Sequence, residues 1–204
     1  MQKVELETDG GPARAWIGEP DGAPRFLLVT THGAAGGVDS PDLTSLRDAA
    51  VAAGGVVAAV EQVYRVAGRR TPGGATARQD ALWLQTVRQL ADRYPAQPLL
   101  LAGRSNGARV ACRTARELNA RAVVALAFPL HPPGKPERSR AAELRGCPVP
   151  VLVVNGDRDP FGVPDAADAD TLIVRPGERH DLAKDPAGIA AIAVHWVKER
   201  LSLG

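Results

Sequence analysis

A serine enclosed by glycines is the feature of this sequence that points most strongly to chemistry. Ser105 stands in Gly103-Arg104-Ser105-Asn106-Gly107, between an apolar segment that predicts a strand and a segment that predicts a helix. This G-x-S-x-G pattern at a strand-to-helix turn is typical of a nucleophilic serine, because the sharp turn exposes the hydroxyl and the helix N-terminus stabilises nearby negative charge. Taken alone, the motif also fits a glycine-rich turn whose serine only caps the helix.

A serine hydroxyl is a weak nucleophile at neutral pH, so Ser105 needs a histidine base and an acid that orients the base. Of the four histidines, His180 lies in a loop after the last predicted strand. Serine, acid and histidine follow one another in one known chain order of such triads, which favours His180 and requires an acid before it. The segment Asn155-Gly156-Asp157-Arg158-Asp159 follows a predicted strand and supplies two candidate carboxylates. A solvated acidic turn is the alternative interpretation of that segment.

Two backbone N–H groups are candidates for stabilising an oxyanion. The glycine loop His32-Gly33-Ala34-Ala35 follows an apolar strand, as expected of a loop that contributes one such donor, here assigned to Ala34. Asn106, the residue after the nucleophile, would supply the other. We expect the His32 side chain to hold the loop rather than to transfer protons.

The elements that must position these residues alternate between strands and helices, which predicts an α/β fold with a mostly parallel sheet and helices on both faces. Turn residues between the first two strands indicate an antiparallel start. The predicted strands are residues 4–7, 13–17, 26–31, 56–60, 99–102, 122–127, 149–154 and 171–174. One predicted helix begins after its N-cap Ser40 and stops at Gly54, and the other predicted helices cover residues 76–94, 106–118 and 186–201.

Composition limits the possible classes of protein. The 204 residues predict a single domain over residues 1–204, with 45% apolar and 24% charged residues, as in ordinary globular proteins. The net charge of +2, without a basic stripe, argues against a nucleic-acid partner. The sequence has no apolar run of membrane-spanning length and no secretory signal, so we expect no membrane association and a cytoplasmic location. Cys112 and Cys147 are expected to be buried free thiols, because neither shows disulfide or metal spacing.

Two irregular segments, residues 61–75 and 129–136, are candidates for lining a site. In the first, Arg69 and Arg70 could bind an anionic substrate through their guanidinium groups. In the second, His131 could add to the same surface. Solvated arginines or internal salt bridges are the favoured alternative, because arginine is common throughout the chain.

The sequence resembles the dienelactone-hydrolase-like branch of the α/β hydrolases, in particular the small group that includes a testis-expressed hydrolase-like protein and a subunit of a histone acetyltransferase complex. The motifs that carry this resemblance are Thr31-His32-Gly33-Ala34, Gly68-Arg69-Arg70, Gly103-Arg104-Ser105, the segment 128–136 and the segment 156–162. The resemblance implies an eight-stranded α/β-hydrolase fold without a cap domain and without a metal or organic cofactor. It also assigns the acid to Asp159, the last position of Gly-x-x-Asp. Asn106 departs from the group, whose members often carry Met at that position.

Together these features predict a serine hydrolase that cleaves an ester or related acyl bond through an acyl-enzyme, of carboxylesterase or dienelactone-hydrolase-like type. The expected partner is a small-molecule acyl substrate, and the expected state is a monomer or small homo-oligomer. A non-catalytic interaction module is the main alternative, since some relatives are parts of assemblies. A second alternative is an acyltransferase that uses an acceptor other than water.

Overall fold

The computed structural model describes residues 1–203, and Gly204, the last residue of the predicted domain, lies outside the described residues. The strands are β1 Gln2–Leu6, β2 Ala13–Gly18, β3 Phe26–Thr31, β4 Gly55–Glu61, β5 Leu99–Arg104, β6 Ala122–Leu126, β7 Val151–Gly156 and β8 Thr171–Arg175. The helices are α1 Pro41–Ala52, α2 Val63–Val66, α3 Thr76–Arg93, α4 Asn106–Thr114, α5 Ala141–Arg145 and α6 Pro186–Arg200.

All eight strands form one sheet, in the order β1-β2-β4-β3-β5-β6-β7-β8. β2 pairs antiparallel with both β1 and β4, and every other neighbouring pair is parallel. The predicted antiparallel start and parallel remainder are therefore confirmed. Within the described residues no connection holds a separate cap domain, since residues 127–150 between β6 and β7 contain only loop and the short α5.

Helices cover both faces of the sheet because alternate side chains of each strand point to opposite faces. Leu27 and Val29 of β3 pack with α3, α4 and α5, whereas Phe26 and Leu28 pack with α1 and α6. The predicted apolar stripe of α3 is confirmed: Trp83, Val87 and Leu90 are buried against the sheet, and Ala91 and Tyr94 pack half-buried on the same core. The sheet is thus the middle layer between two apolar cores.

Several boundaries differ from the prediction for physical reasons. β7 begins at Val151 rather than at 149, because Pro148 and Pro150 lack the backbone N–H that a strand must donate. α4 ends at Thr114 rather than at 118, and the following turn closes at Asn119, whose φ of 52° is left-handed. The irregular segment 61–75 includes the end of β4 and the short helix α2, and α5 was not predicted.

The carboxyl ends of the parallel strands meet at one edge of the sheet, where open α/β sheets bind their ligands. The loops after β3, β5, β7 and β8 carry His32, Ser105, Asp159 and His180 respectively. Residues far apart in the sequence are therefore brought to one edge. Among the described residues, no helix is both long and apolar enough to span a membrane.

Candidate active site

Ser105 occupies a strained turn between β5 and α4. Its φ of 53° and ψ of −114° lie outside the regions that serine ordinarily adopts. The turn is possible because Gly103 and Gly107 allow close backbone approach: a Cβ on Gly103 would collide with the Gly107 backbone, and one on Gly107 would lie 2.6 Å from the Thr31 carbonyl oxygen. The Ser105 N–H donates to the Leu126 carbonyl at 2.9 Å and fixes the turn to β6.

The side chains of Ser105, His180 and Asp159 form one hydrogen-bonded chain. His180 Nε2 lies 2.9 Å from Ser105 Oγ, and His180 Nδ1 lies 2.8 Å from Asp159 Oδ2. An ionised carboxylate only accepts hydrogen bonds, so Nδ1 carries the proton and Nε2 is free to accept from the serine hydroxyl. This arrangement has the partners and lengths that proton transfer from serine to histidine requires.

Asp159 rather than Asp157 faces the imidazole. The Asp159 side chain is fully buried, and its second oxygen accepts the Phe161 backbone N–H at 2.8 Å. Asp157 instead accepts the Gly177 backbone N–H at 2.7 Å, in an exposed turn. Asp157 therefore ties two loops together, whereas Asp159 lies in position to orient His180.

Phe161 is a site residue that the sequence reasoning did not identify. Its ring stacks on the His180 imidazole, with centroids 4.1 Å apart and an interplanar angle of 28°. The stack covers one face of the imidazole and limits rotation of the ring. The signal was available in the segment 156–162, where an aromatic residue follows Asp159 by two positions.

His131 supports the loop that carries Phe161. Its backbone N–H donates to the Phe161 carbonyl at 2.9 Å, and its Nδ1 lies 2.9 Å from the Pro132 carbonyl. Gly162 packs directly against the imidazole, because a Cβ there would overlap the ring. These contacts give His131 a supporting position, and its predicted contact with substrate stays a prediction.

His32 holds the glycine loop in place, in agreement with the sequence interpretation. Its Nε2 accepts the Gln62 backbone N–H at 3.1 Å, so Nδ1 carries the proton donated to the Gly33 carbonyl at 2.8 Å. Tyr64 adds a second restraint, since its hydroxyl donates to the Ala34 carbonyl at 3.0 Å. The loop is thus tied to the segment after β4.

We expect the buried His32 to make stability fall in acid. Burial is the main cause that lowers the pKa of His32 from 6.5 to about 4, with the Gly33 hydrogen bond opposing and Arg65 adding to the shift. Between those pH values the unfolded chain binds a proton that the folded chain does not, so the free energy of unfolding should drop by up to about 3 kcal/mol as pH falls from 6.5 to 4. Urea unfolding at several pH values measures this.

The matched comparison uses His32→Gln and His195→Gln. His195 is exposed on α6, so its replacement should leave the acid dependence unchanged. His32→Gln should lose most of it, whatever its stability at neutral pH. Parallel curves for wild type and His32→Gln would show that His32 does not cause the effect.

Arg104 connects the nucleophile turn to the His180 loop. Its Nη2 donates to the His180 carbonyl oxygen at 3.0 Å, and its Nε lies 3.1 Å from Asp42 Oδ2. The Asp42 side chain is fully buried, and burial raises the pKa of Asp42 while the Arg104 charge opposes that rise. The Arg104 guanidinium therefore fixes the His180 backbone relative to α1. The G-x-S-x-G motif, in which Arg104 is a variable position, does not indicate this role.

Removal of the link between Arg104, Asp42 and the His180 carbonyl should displace His180 and slow the predicted ester hydrolysis. Replacement of Arg104 alone would leave the Asp42 carboxylate buried without its partner, so we choose the double variant Asp42→Asn/Arg104→Met. We expect kcat on a short-chain ester to fall about 10- to 100-fold with little change in KM, because small misplacements of a base are costly. Arg179→Met, a change of an exposed arginine in the His180 loop, should leave kcat within about twofold. An unchanged kcat in the double variant would remove the positioning role.

The predicted oxyanion donors lie at the ends of the expected elements. Ala34 belongs to the loop after β3, and Asn106 is the first residue of α4. Within residues 1–203, neither backbone N–H donates a hydrogen bond to another protein group. Both are therefore available to a bound ligand, and their role as oxyanion donors stays a prediction.

The two predicted substrate arginines separate in the structure. Arg69 lines a cavity between the α2–α3 connection and α3, whereas Arg70 is exposed and does not line it. Neither Ser105 nor His180 lines this cavity.

Across residues 1–203, no group of three His, Cys, Asp or Glu side chains could hold a metal ion. Cys112 and Cys147 are free thiols, as predicted, and Cys112 is buried, but Cys147 is only half-buried because it lies at the edge of the core before the Pro148–Pro150 segment.

Solved structures with the same fold include several serine hydrolases. An alpha-beta serine hydrolase homologue from Coxiella burnetii has a TM-score of 0.80 and 17% identity, with 96% of this chain and 97% of that chain covered. XC6422 from Xanthomonas campestris, an a/b serine hydrolase without lid, has a TM-score of 0.75 and 20% identity over 97% and 94% of the two chains. Est1E from Butyrivibrio proteoclasticus has a TM-score of 0.73 and 16% identity over 98% and 99%.

Comparison of the sequence with family models identifies the family of this chain more directly than the solved structures do. A search of curated protein sequences found no significant match. The family model described as an alpha/beta hydrolase domain matches residues 24–180, well over half of the chain. That range begins just before β3 and ends at His180, so it includes Ser105 and Asp159. The chain therefore belongs to the alpha/beta hydrolase family and has its fold, and residues 1–203 contain no lid domain.

Proposed function

We propose that the protein is a serine hydrolase that cleaves a carboxylic ester or a related acyl bond through an acyl-enzyme. The observation that carries this proposal is the hydrogen-bonded chain from Ser105 Oγ through His180 to Asp159, with lengths of 2.9 and 2.8 Å. The strained Ser105 backbone supports it, because strain of about 1 to 3 kcal/mol persists mainly where function requires it.

The proposed reaction has two halves. Ser105 Oγ attacks the acyl carbon while its proton passes to His180 Nε2, and the backbone N–H groups of Ala34 and Asn106 stabilise the oxyanion. The leaving alkoxide takes the proton from His180, which leaves an ester on Ser105. Water then attacks that ester with His180 as base again, and the acid departs as Ser105 Oγ recovers a proton.

Each supporting residue has a defined part in this proposal. Asp159 keeps the Nδ1 proton of His180 in place and stabilises the imidazolium. Phe161 excludes water from one face of that ring, and Arg104 fixes its backbone. The complete set of reactive groups favours this function over a non-catalytic interaction module.

A panel of 4-nitrophenyl esters, lactones and thioesters of short acyl chains tests the proposal. We expect turnover of at least one ester class, with a covalent acyl-enzyme trapped by rapid acid quench. The esterase neighbours and the resemblance to the dienelactone-hydrolase-like branch both favour esters or lactones as the first choice. Absence of turnover across the panel, together with no covalent intermediate, would favour the interaction module. The cytoplasmic location and the oligomeric state stay predictions from the sequence.

A further inference from the structure

A cavity lies beside the catalytic edge, between the connection that follows α2 and one face of α3. Its volume is about 240 Å³, smaller than the roughly 300 to 1,000 Å³ of pockets for drug-sized ligands. The cavity therefore suits a small molecule. No catalytic candidate lines it, so its chemistry differs from that of the Ser105 site.

The inner wall of the cavity is mostly apolar. Val63, Leu82 and Trp83 contribute this apolar surface. Val63 and Trp83 are buried in the core, and Trp83 is only 2% exposed, so the core holds this wall in place.

Two arginines line the cavity on its exposed side. Arg69 comes from the loop after α2 and Arg78 from the first turn of α3, and both residues are exposed. Within the described residues, neither guanidinium forms an ion pair with a carboxylate. Two unpaired guanidinium groups on the lining of an apolar cavity complement a molecule with an anionic head and an apolar body.

The wall nearest the catalytic edge is built from Gln62 and Tyr64. The Gln62 side chain is held on both sides, since its Nε2 donates to Thr31 Oγ1 at 3.1 Å and its Oε1 accepts from Gln79 at 2.9 Å. The Gln62 backbone N–H holds His32, and the Tyr64 hydroxyl holds the Ala34 carbonyl. The cavity and the glycine loop thus share a wall, and the hydrogen bonds that fix this wall make the cavity preformed.

We propose that this cavity binds a small carboxylate with an aromatic or aliphatic body, at a site distinct from Ser105. The carboxylate lies against Arg69 and Arg78, and the apolar body lies against Leu82 and Trp83. This site is independent of the proposed hydrolase activity, because none of its lining residues takes part in the serine–histidine–aspartate chain.

Calorimetric titration with 3-phenylpropanoate and its neutral amide tests the proposal. We expect the carboxylate to bind at least about tenfold more tightly than the amide, since a hydrogen bond to a charged group contributes about 1.5 to 3 kcal/mol. Arg69→Gln and Arg78→Gln should each raise the Kd about tenfold. Arg70→Gln, a neighbouring exposed arginine outside the cavity, should leave it unchanged. Circular dichroism and the thermal midpoint verify that the variants are folded.

Any one of five results would overturn the proposal. Equal affinity for acid and amide, or no binding at millimolar concentration, would remove the anionic site. Equal losses in Arg70→Gln and Arg69→Gln would indicate general charge attraction. Competitive inhibition of ester turnover by 3-phenylpropanoate, or loss of its binding after Ser105 is blocked by a phosphonate, would place the ligand at Ser105 instead. Inhibition of ester turnover and the block of Ser105 by a phosphonate rest on the proposed hydrolase function. Ligand binding by the arginine variants tests the cavity site without that function.

Discussion

Ser105→Ala is expected to lower kcat by about 10⁶-fold on any ester that the wild-type protein cleaves. The reason is that Ser105 Oγ is the hydroxyl at the end of the His180–Asp159 chain, and alanine removes the atom that would form the acyl bond. Alanine at the same φ of 53° adds no new strain, so the free energy of unfolding should change little. Initial rates with a 4-nitrophenyl ester, corrected for spontaneous hydrolysis, measure the effect.

The matched control is Ser202→Ala, an exposed serine near the chain's C-terminus that also has positive φ. It should retain wild-type turnover. Retention of more than a tenth of the turnover by folded Ser105→Ala would mean that another group carries the reaction.

Asp159→Asn is expected to lower kcat by about 10⁴-fold, as loss of the orienting carboxylate does in other serine triads. An asparagine amide can present an N–H toward His180 Nδ1, which would favour the tautomer whose Nε2 carries the proton. That Nε2 could no longer accept from Ser105. The 2.8 Å contact between Asp159 Oδ2 and His180 Nδ1 is the interaction that this variant removes.

Asp157→Asn is the control two residues away, in the same loop. Asp157 accepts the Gly177 N–H, and among residues 1–203 it is Asp159 that contacts the imidazole, so replacement of Asp157 should lower kcat by less than about tenfold. Steady-state kinetics of both variants on one ester decides the ranking. A larger loss in Asp157→Asn would transfer the orienting role to that residue.

Much of the fold could be predicted because its signals are local. The apolar run of β3 has the bounds that the sequence indicates, and Pro41 marks the start of α1. The glycine pattern around Ser105 predicts the turn, since only glycine tolerates the backbone approach at 103 and 107. Chain order then restricts the base and the acid.

Other features depend on tertiary contacts that leave no sequence period. Arg104 reaches both Asp42 on α1 and the His180 carbonyl, and this link exists only after the end of β5, α1 and the His180 loop have met at the sheet edge. Phe161 lies in the motif that contains Asp159, but its stacking on His180 depends on how the loops after β7 and β8 meet. Arg69 lines the cavity and Arg70 does not, because of the path that the loop takes between α2 and α3. Spacing rules describe single elements and cannot supply such contacts.

Covalent labelling by a fluorophosphonate, followed by peptide mass mapping, tests directly whether Ser105 is an activated nucleophile. The probe reacts with a serine whose hydroxyl a neighbouring base activates, so it reports the assembled Ser105, His180 and Asp159 side chains. We predict one adduct per protein molecule, located on Ser105, with labelling abolished by prior heat denaturation and greatly slowed in Asp159→Asn. No adduct on folded wild-type protein, or an adduct on a different residue, would show that Ser105 is not the activated nucleophile.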